Sequence, residues 1–248
     1  MKIRKVAVVT GSATGVGRAV AWQLAERGID IVVNYSRSQK EAEETATGVE
    51  ARGSSVQLCR CDVSDEEGVR AMFREVADRW GRLDYLVNNA ATTFFVAPHD
   101  LEGMSTEKWD RIYDVNVKGS FFCFREAVTL MKKFGSGSVV NISSVAALNG
   151  MGSCIAYAAS KASLLNLTRS WAKTFAPAIR VNAVCPGAIT TRWLMDGHQD
   201  MIDASVKETP MGRVSSPEDI AAAVRYFLLE TDFVTGQWMV IDGGRTIR

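Results

Sequence analysis

The feature that most constrains this 248-residue chain is a regular alternation of short, β-branched apolar runs with longer amphipathic segments. The runs fall at 6–9, 31–35, 56–59, 83–88, 138–142, 180–184 and 238–241. Most are apolar throughout, the pattern of strands covered on both faces. Between them, 17–27, 39–52, 66–80, 106–133, 156–175 and 217–229 space their apolar side chains at helical intervals. This alternation predicts right-handed crossovers and an α/β fold, a doubly wound Rossmann-type sheet of seven parallel strands with helices on both faces. No repeat, low-complexity tract or linker divides the chain, so residues 1–248 are expected to form one dinucleotide-binding and catalytic domain. The longest stretch without clear periodicity, 190–216, holds Gly197, Pro210 and Gly212 and reads as a mobile substrate loop or lid.

Composition narrows the function classes. A hydrophobic content of 47% fills a core, and a formal charge of +1 gives nothing that draws the chain to nucleic acid or anionic lipid. No apolar run reaches the roughly 18 residues of a membrane span, and the first ten residues lack the apolar core of a signal peptide. The expected address is the cytoplasm. Cys59 and Cys61 are too close for a CxxC pair, and Cys123, Cys154 and Cys185 stand alone, so all five read as packing residues. The two histidines, His99 and His198, sit in no ligand-like cluster, and no metal is expected.

Chemistry enters at the turn after the first run, Thr10-Gly11-Ser12-Ala13-Thr14-Gly15-Val16-Gly17. Glycines let backbone approach a pyrophosphate, and the helix start that follows offers N–H groups and a positive dipole end. Gly11, Ser12, Thr14, Gly15, Val16 and Gly17 are therefore candidate cofactor contacts, although the spacing is GxxxGxG and not the general GxGxxG. Asp62, with Val63 beside it, follows the third run and either accepts from an adenine amino group or caps the next helix. Asn89, Ala90 and Ala91 end the fourth run, where small residues let a ribose lie close. After the second run, Ser36 and Arg37 stand where an NAD-selective chain usually carries a carboxylate, about twenty residues past the glycines. An arginine fork there suits a 2′-phosphate, so NADP(H) is favoured over NAD(H).

Tyr157 and Lys161 lie at i and i+4, hence on one helix face. A nearby cation favours phenolate, as a general acid/base at a carbonyl oxygen requires. Ser144, thirteen positions before Tyr157, closes an apolar strand and either holds a substrate oxygen or caps the strand end. Asn116 sits inside the long helical segment, where it either exposes a backbone carbonyl to water or kinks the helix.

Taken together, Thr10-Gly11-x-x-x-Gly15-x-Gly17, Asn88-Asn89-Ala90-Ala91, Ser144, Tyr157-x-x-x-Lys161 and Pro186-Gly187 resemble the short-chain dehydrogenase/reductase family over nearly the whole chain. The resemblance implies that Tyr157 is the general acid/base, that Lys161 lowers its pKa and binds the nicotinamide ribose, and that Ser144 polarises the carbonyl. It further implies that Asn116 anchors a water of a proton relay, and that Pro186, Gly187, Ile189 and Thr191 hold the nicotinamide amide and pyrophosphate. Ala91 departs from the family's usual glycine. The expected substrate is a small carbonyl or alcohol compound and the expected assembly a homotetramer built on the helices at 106–133 and 156–175. Within the family the look is closest to bacterial 3-oxoacyl-carrier-protein reductases. A carrier would dock on basic residues at the site entrance, for which Lys132 and Lys133 are available, although Phe175-Ala176-Pro177-Ala178 lacks the usual basic residue. NAD-dependent alcohol or sugar dehydrogenases and a catalytically silent nucleotide-binding regulator are the alternatives.

Overall fold

The computed structural model describes residues 4–191 and 199–247. Seven strands form one sheet in the order β3-β2-β1-β4-β5-β6-β7, and every neighbouring pair is parallel. They are β1 (Val6–Val9), β2 (Asp30–Tyr35), β3 (Val56–Arg60), β4 (Tyr85–Asn88), β5 (Gly137–Ile142), β6 (Ile179–Pro186) and β7 (Trp238–Ile241). The chain builds outward from β1 to β3, then crosses back to lay β4 against the other side of β1. The connections therefore diverge between β1 and β4, and this leaves a crevice at their carboxyl ends, the usual ligand position in open α/β sheets.

Period-two alternation assigns each strand residue to one of two cores. Ala7, Val9, Ile31 and Val33 face helices α1 (Gly15–Ala25) and α2 (Gln39–Glu50), joined by a helix at Pro217–Arg225. Val6, Val8, Val32 and Leu86 face α3 (Glu66–Trp80), α5 (Ser120–Lys133) and α7 (Ile155–Phe175). On that side Phe124 stacks on Trp171 with ring centroids 4.0 Å apart. Between β4 and α5 lies α4 (Thr106–Tyr113), and α6 (Ala146–Asn149) follows β5.

Two expectations need correction. The segment 106–133 is not one uniform helix, because Asp114–Gly119 widens into a π-helical turn between α4 and α5. The stretch 190–216 is not wholly loop, because it carries the helix α8 (Gln199–Glu208). That helix is tied to the C-terminal tail by the ion pair of Arg245 with Glu208, and the turn after it by the Met211 N–H donating to the Gly243 carbonyl. Residues 192–198 of the expected lid, His198 among them, lie outside the described residues. The helix at Pro217–Arg225, here α9, starts on a capping box between Ser216 and Asp219 with Pro217 in the first turn.

The apolar crowding in α5 and α7 is mostly absorbed within the chain. Cys123, Phe124, Leu164 and Leu165 are buried, whereas Phe121 is exposed. Among the described residues no helix is long and apolar enough to cross a membrane. All five cysteines are buried free thiols. Burial pushes Cys59 up to about 12 and Cys61 up to about 11, so neither is a ready nucleophile near neutral pH.

Candidate active site

A cleft of about 650 Å³ opens at the carboxyl ends of the strands. One wall is the turn after β1. Gly11 takes φ +61°, a conformation that glycine adopts without strain, and a Cβ there would lie 2.9 Å from Ala90 Cα. Asn34 holds the turn from below. Its Oδ1 accepts from the Gly11 N–H at 3.1 Å, and its Nδ2 donates to the carbonyls of Cys59 and Cys61. From the other side, Asn89 Nδ2 donates to the carbonyls of Thr10 and Gly11 at 2.9 and 3.0 Å. Helix α1 begins at Gly15 with Thr14 as an N-cap that makes no side-chain cap, so its first-turn N–H groups can meet an anion.

Gly11, Thr14, Gly15, Val16, Ser36, Arg37, Asp62, Val63, Asn89, Ala90 and Ala91 all line this cleft. So do Ser144, Tyr157 and Lys161, and Pro186, Gly187, Ile189 and Thr191. Ser12, Gly17 and Asn116 do not. Ser12 is fully buried, its hydroxyl donating to the Val9 carbonyl and its N–H to the Asn34 carbonyl, so both groups shape the turn. At Gly17 a Cβ would sit 2.6 Å from the Gly11 oxygen, and the glycine lets α1 pack against the turn. Asp62 caps no helix. Its Oδ1 accepts from the N–H and hydroxyl of Ser64, and its Oδ2 pairs with Arg111 at 2.7 Å. Hydrogen bonds from Arg111 and Ser64 hold its carboxyl below the usual range against the opposing effect of burial.

The chemical corner is built from three elements. Ser144 follows β5, its Oγ accepting from the Ala146 N–H at 3.1 Å and sharing a hydrogen bond with the Tyr157 side chain. Tyr157 and Lys161 come from α7, with the Lys161 ammonium 5.6 Å from the phenol ring centre. Lys161 Nζ donates to the Ile142 carbonyl at 2.8 Å. Lys161 is not among the groups that shift the Tyr157 phenol in this arrangement. Burial outweighs the Ser144 hydrogen bond and pushes Tyr157 up to about 12. Burial likewise brings Lys161 down to about 8. The tyrosine therefore rests as a protonated donor at neutral pH.

Asn116 lies in the π-helical turn, fully buried. Its side-chain amide bonds both backbone groups of Thr92 and donates to Ser160 Oγ, while its carbonyl accepts from the Ser120 hydroxyl at 2.8 Å. It thereby ties the loop after β4 to α7, one residue from Lys161. Lys132 and Lys133 close α5 at the opposite end of the sheet, where the chain enters β5, and Lys132 sits over the Phe175 ring. They do not flank the cleft, which removes them as an entrance surface. Sequence reasoning did not single out Asn34 as a support, nor Thr93, Phe95, Arg111, Met151, Ser153 and Arg245 as cleft residues. Only Asn34 left a signal, a polar residue inside an otherwise apolar run. Among the described residues no group of three His, Cys, Asp or Glu side chains is placed to hold a metal ion.

A nicotinamide dinucleotide fits these residues. The glycine turn is a cradle that a Cβ would close, the helix start carries no side-chain cap, and one cleft is lined from Ser36 and Arg37 to Tyr157. Residues 11–246 match the family described as Enoyl-(Acyl carrier protein) reductase. The chain is 39% identical over 241 residues to a Streptomyces violaceoruber protein that carries the name ketoacyl reductase 2 of the granaticin polyketide synthase, covering 96% of this chain and 95% of that one. It is 35% identical over 246 residues to the 3-oxoacyl-[acyl-carrier-protein] reductase FabG of Staphylococcus aureus, covering 98% and 99%. The crystal structure of acetoin dehydrogenase from Enterobacter cloacae superposes with a TM-score of 0.89 at 35% identity, covering 100% of this chain and 97% of that one.

The buried lysine makes a pH-dependent contribution to stability. Its folded pKa lies below its unfolded value of 10.5, so between about pH 8 and 10 the unfolded chain binds the extra proton and stability rises with pH. Tyr157 acts in the opposite sense, but only above its ordinary value of 10. Denaturant unfolding of the parent and Lys161→Met should therefore diverge in the parent's favour across pH 8–10, by at most about 1.4 kcal/mol per pH unit. A difference that stays constant with pH would contradict the buried-cation assignment.

Proposed function

The chain belongs to the short-chain dehydrogenase/reductase family of oxidoreductases, and from that premise we propose that it reduces a carbonyl compound with hydride from NADPH, Tyr157 being the proton donor. The observation that carries this reading is the hydrogen-bonded Ser144–Tyr157 pair at one end of a cleft whose other end is the glycine turn. A bound nicotinamide dinucleotide supplies the hydride. The Gly11–Val16 backbone and the start of α1 would hold its pyrophosphate, and Asp62 and Val63 would lie against its adenine. Lys161 would bind its nicotinamide ribose, and the backbone from Pro186 to Thr191 its amide. Ser144 would donate to the substrate oxygen, and Tyr157 would deliver its proton to that oxygen as the carbon is reduced.

Asn116 acts through its neighbours by fixing the loop of Thr92 and the helix of Lys161. Arg37 supports NADP(H), since it is exposed, lines the cleft and forms no ion pair among the described residues. A second reading, reduction of a 3-oxoacyl group on a carrier protein, is favoured by the FabG relative, although the carrier would have to dock away from Lys132 and Lys133. Residues 1–248 are taken to act as one catalytic unit. A homotetramer in the cytoplasm is the expected setting, supported by the exposed Phe121 on α5 and the five unpaired thiols.

Two variants test the assignment. Tyr157→Phe should lower kcat by about 10²–10⁴-fold while leaving NADPH affinity nearly unchanged, as read by steady-state kinetics and fluorescence titration. A kcat close to the parent's would overturn the role of the phenol. Arg37→Ala should lower kcat/KM with NADPH at least about tenfold and leave NADH almost unaffected, because a hydrogen bond to a charged group contributes about 1.5–3 kcal/mol. A parent enzyme that prefers NADH would defeat the cofactor assignment.

A further inference from the structure

Large apolar side chains scattered on a surface are ordinary and need no explanation. Of the eleven exposed ones among the described residues, only Phe95 and Met151 line the cleft that holds Ser144 and Tyr157. Phe95 is 50% exposed and Met151 64% exposed. They come from different loops, one after β4 and one after α6, which the fold ties together. Thr93 Oγ1 and Ser153 Oγ are 2.5 Å apart, and the Val96 N–H donates to the Ser153 carbonyl at 3.0 Å. Phe95 lies between Thr93 and Val96, and Met151 two residues before Ser153. Both loops rest on a small core of Val96, Ile112, Cys154 and Ala156, against which Phe94 and Tyr157 also pack. The apolar rim is therefore built on the same support as the phenol, and its position relative to the reacting corner is fixed.

We propose that Phe95 and Met151 form an apolar subsite for one arm of the substrate, so that this chain works on carbonyl compounds carrying an extended hydrocarbon or aromatic arm. The proposal rests on the reductase reading above. With the carbonyl oxygen at Ser144 and Tyr157, an apolar arm leaves water against Phe95 and Met151, and the gain grows with the area buried. A polyhydroxylated arm would lose its water against the same two side chains without a hydrogen bond in exchange. The hydroxyls of Thr93 and Ser153, carried by the same two loops, are hydrogen-bonded to each other.

The test is kcat/KM for straight-chain methyl ketones from 2-butanone to 2-octanone, with NADPH and NADH each supplied. The value should rise about two- to fourfold per added methylene, the upper figure corresponding to complete burial of each group. Over four methylenes the ratio of 2-octanone to 2-butanone should then exceed roughly tenfold. In a Phe95→Ser/Met151→Ser double variant that ratio should fall at least about fivefold, whereas Phe95→Leu/Met151→Leu should keep it. Leu101→Ser, 66% exposed and outside the cleft, should show the parent's ratio and melting temperature. Turnover of the series with no dependence on chain length, or a ratio unaltered in the double serine variant, would overturn the subsite and leave the reductase reading standing. Turnover of none of the ketones with either cofactor would overturn both.

Discussion

Two side-chain amides hold the Gly11 turn, and the rest of the cleft depends on them. Asn34 joins the end of β2 to the turn and to the carbonyls of Cys59 and Cys61, while Asn89 joins the end of β4 to Thr10 and Gly11. The Thr10 hydroxyl completes the lock by accepting from the N–H groups of Asn89 and Ala90. Four neighbouring strand ends are thus fixed at the point where the connections diverge. Each such bond contributes about 0.5–1.5 kcal/mol net, but leaving one of these buried groups unpaired costs about 1–3 kcal/mol. The glycine backbone is held open by this network.

The chemical corner depends on a comparable device on the other side of the crevice. A π-helical turn places Asn116 where one amide reaches both Thr92 and Ser160. That contact sets the loop after β4 against α7, and α7 carries Tyr157 and Lys161. Burial of both ionisable groups opposes their charged forms, which leaves a neutral phenol and a lysine that titrates near 8.

Much of this was legible in the sequence because strands buried on both faces read as short, continuous apolar runs. All seven strands were expected within about two residues of their observed ends. The cleft gathers most of the residues singled out from the motifs, since motifs at strand ends converge wherever a parallel sheet brings those ends together. Helix α8 was missed because its polar sequence offers only sparse apolar spacing between Gly197 and Pro210. The π-helical turn leaves no periodic trace, since one extra residue in a turn hardly disturbs a pattern with a period of 3.6. Lys132 and Lys133 were misplaced because sequence adjacency says nothing about which end of a sheet a helix reaches. Ser12 and Gly17 sit within the turn motif yet serve the turn itself. Packing direction is decided by tertiary contacts, and neither residue type announces it.

In the proposed reaction, hydride passes from a nicotinamide ring to a substrate carbon in this cleft. The most direct measurement follows an isotopic label, using NADPH carrying deuterium at both C4 positions of the nicotinamide with a ketone that the enzyme turns over. Mass spectrometry of the product alcohol should show one deuterium on the former carbonyl carbon in nearly every molecule, with the label lost from the cofactor in equal amount. An alcohol formed without that deuterium would contradict the account.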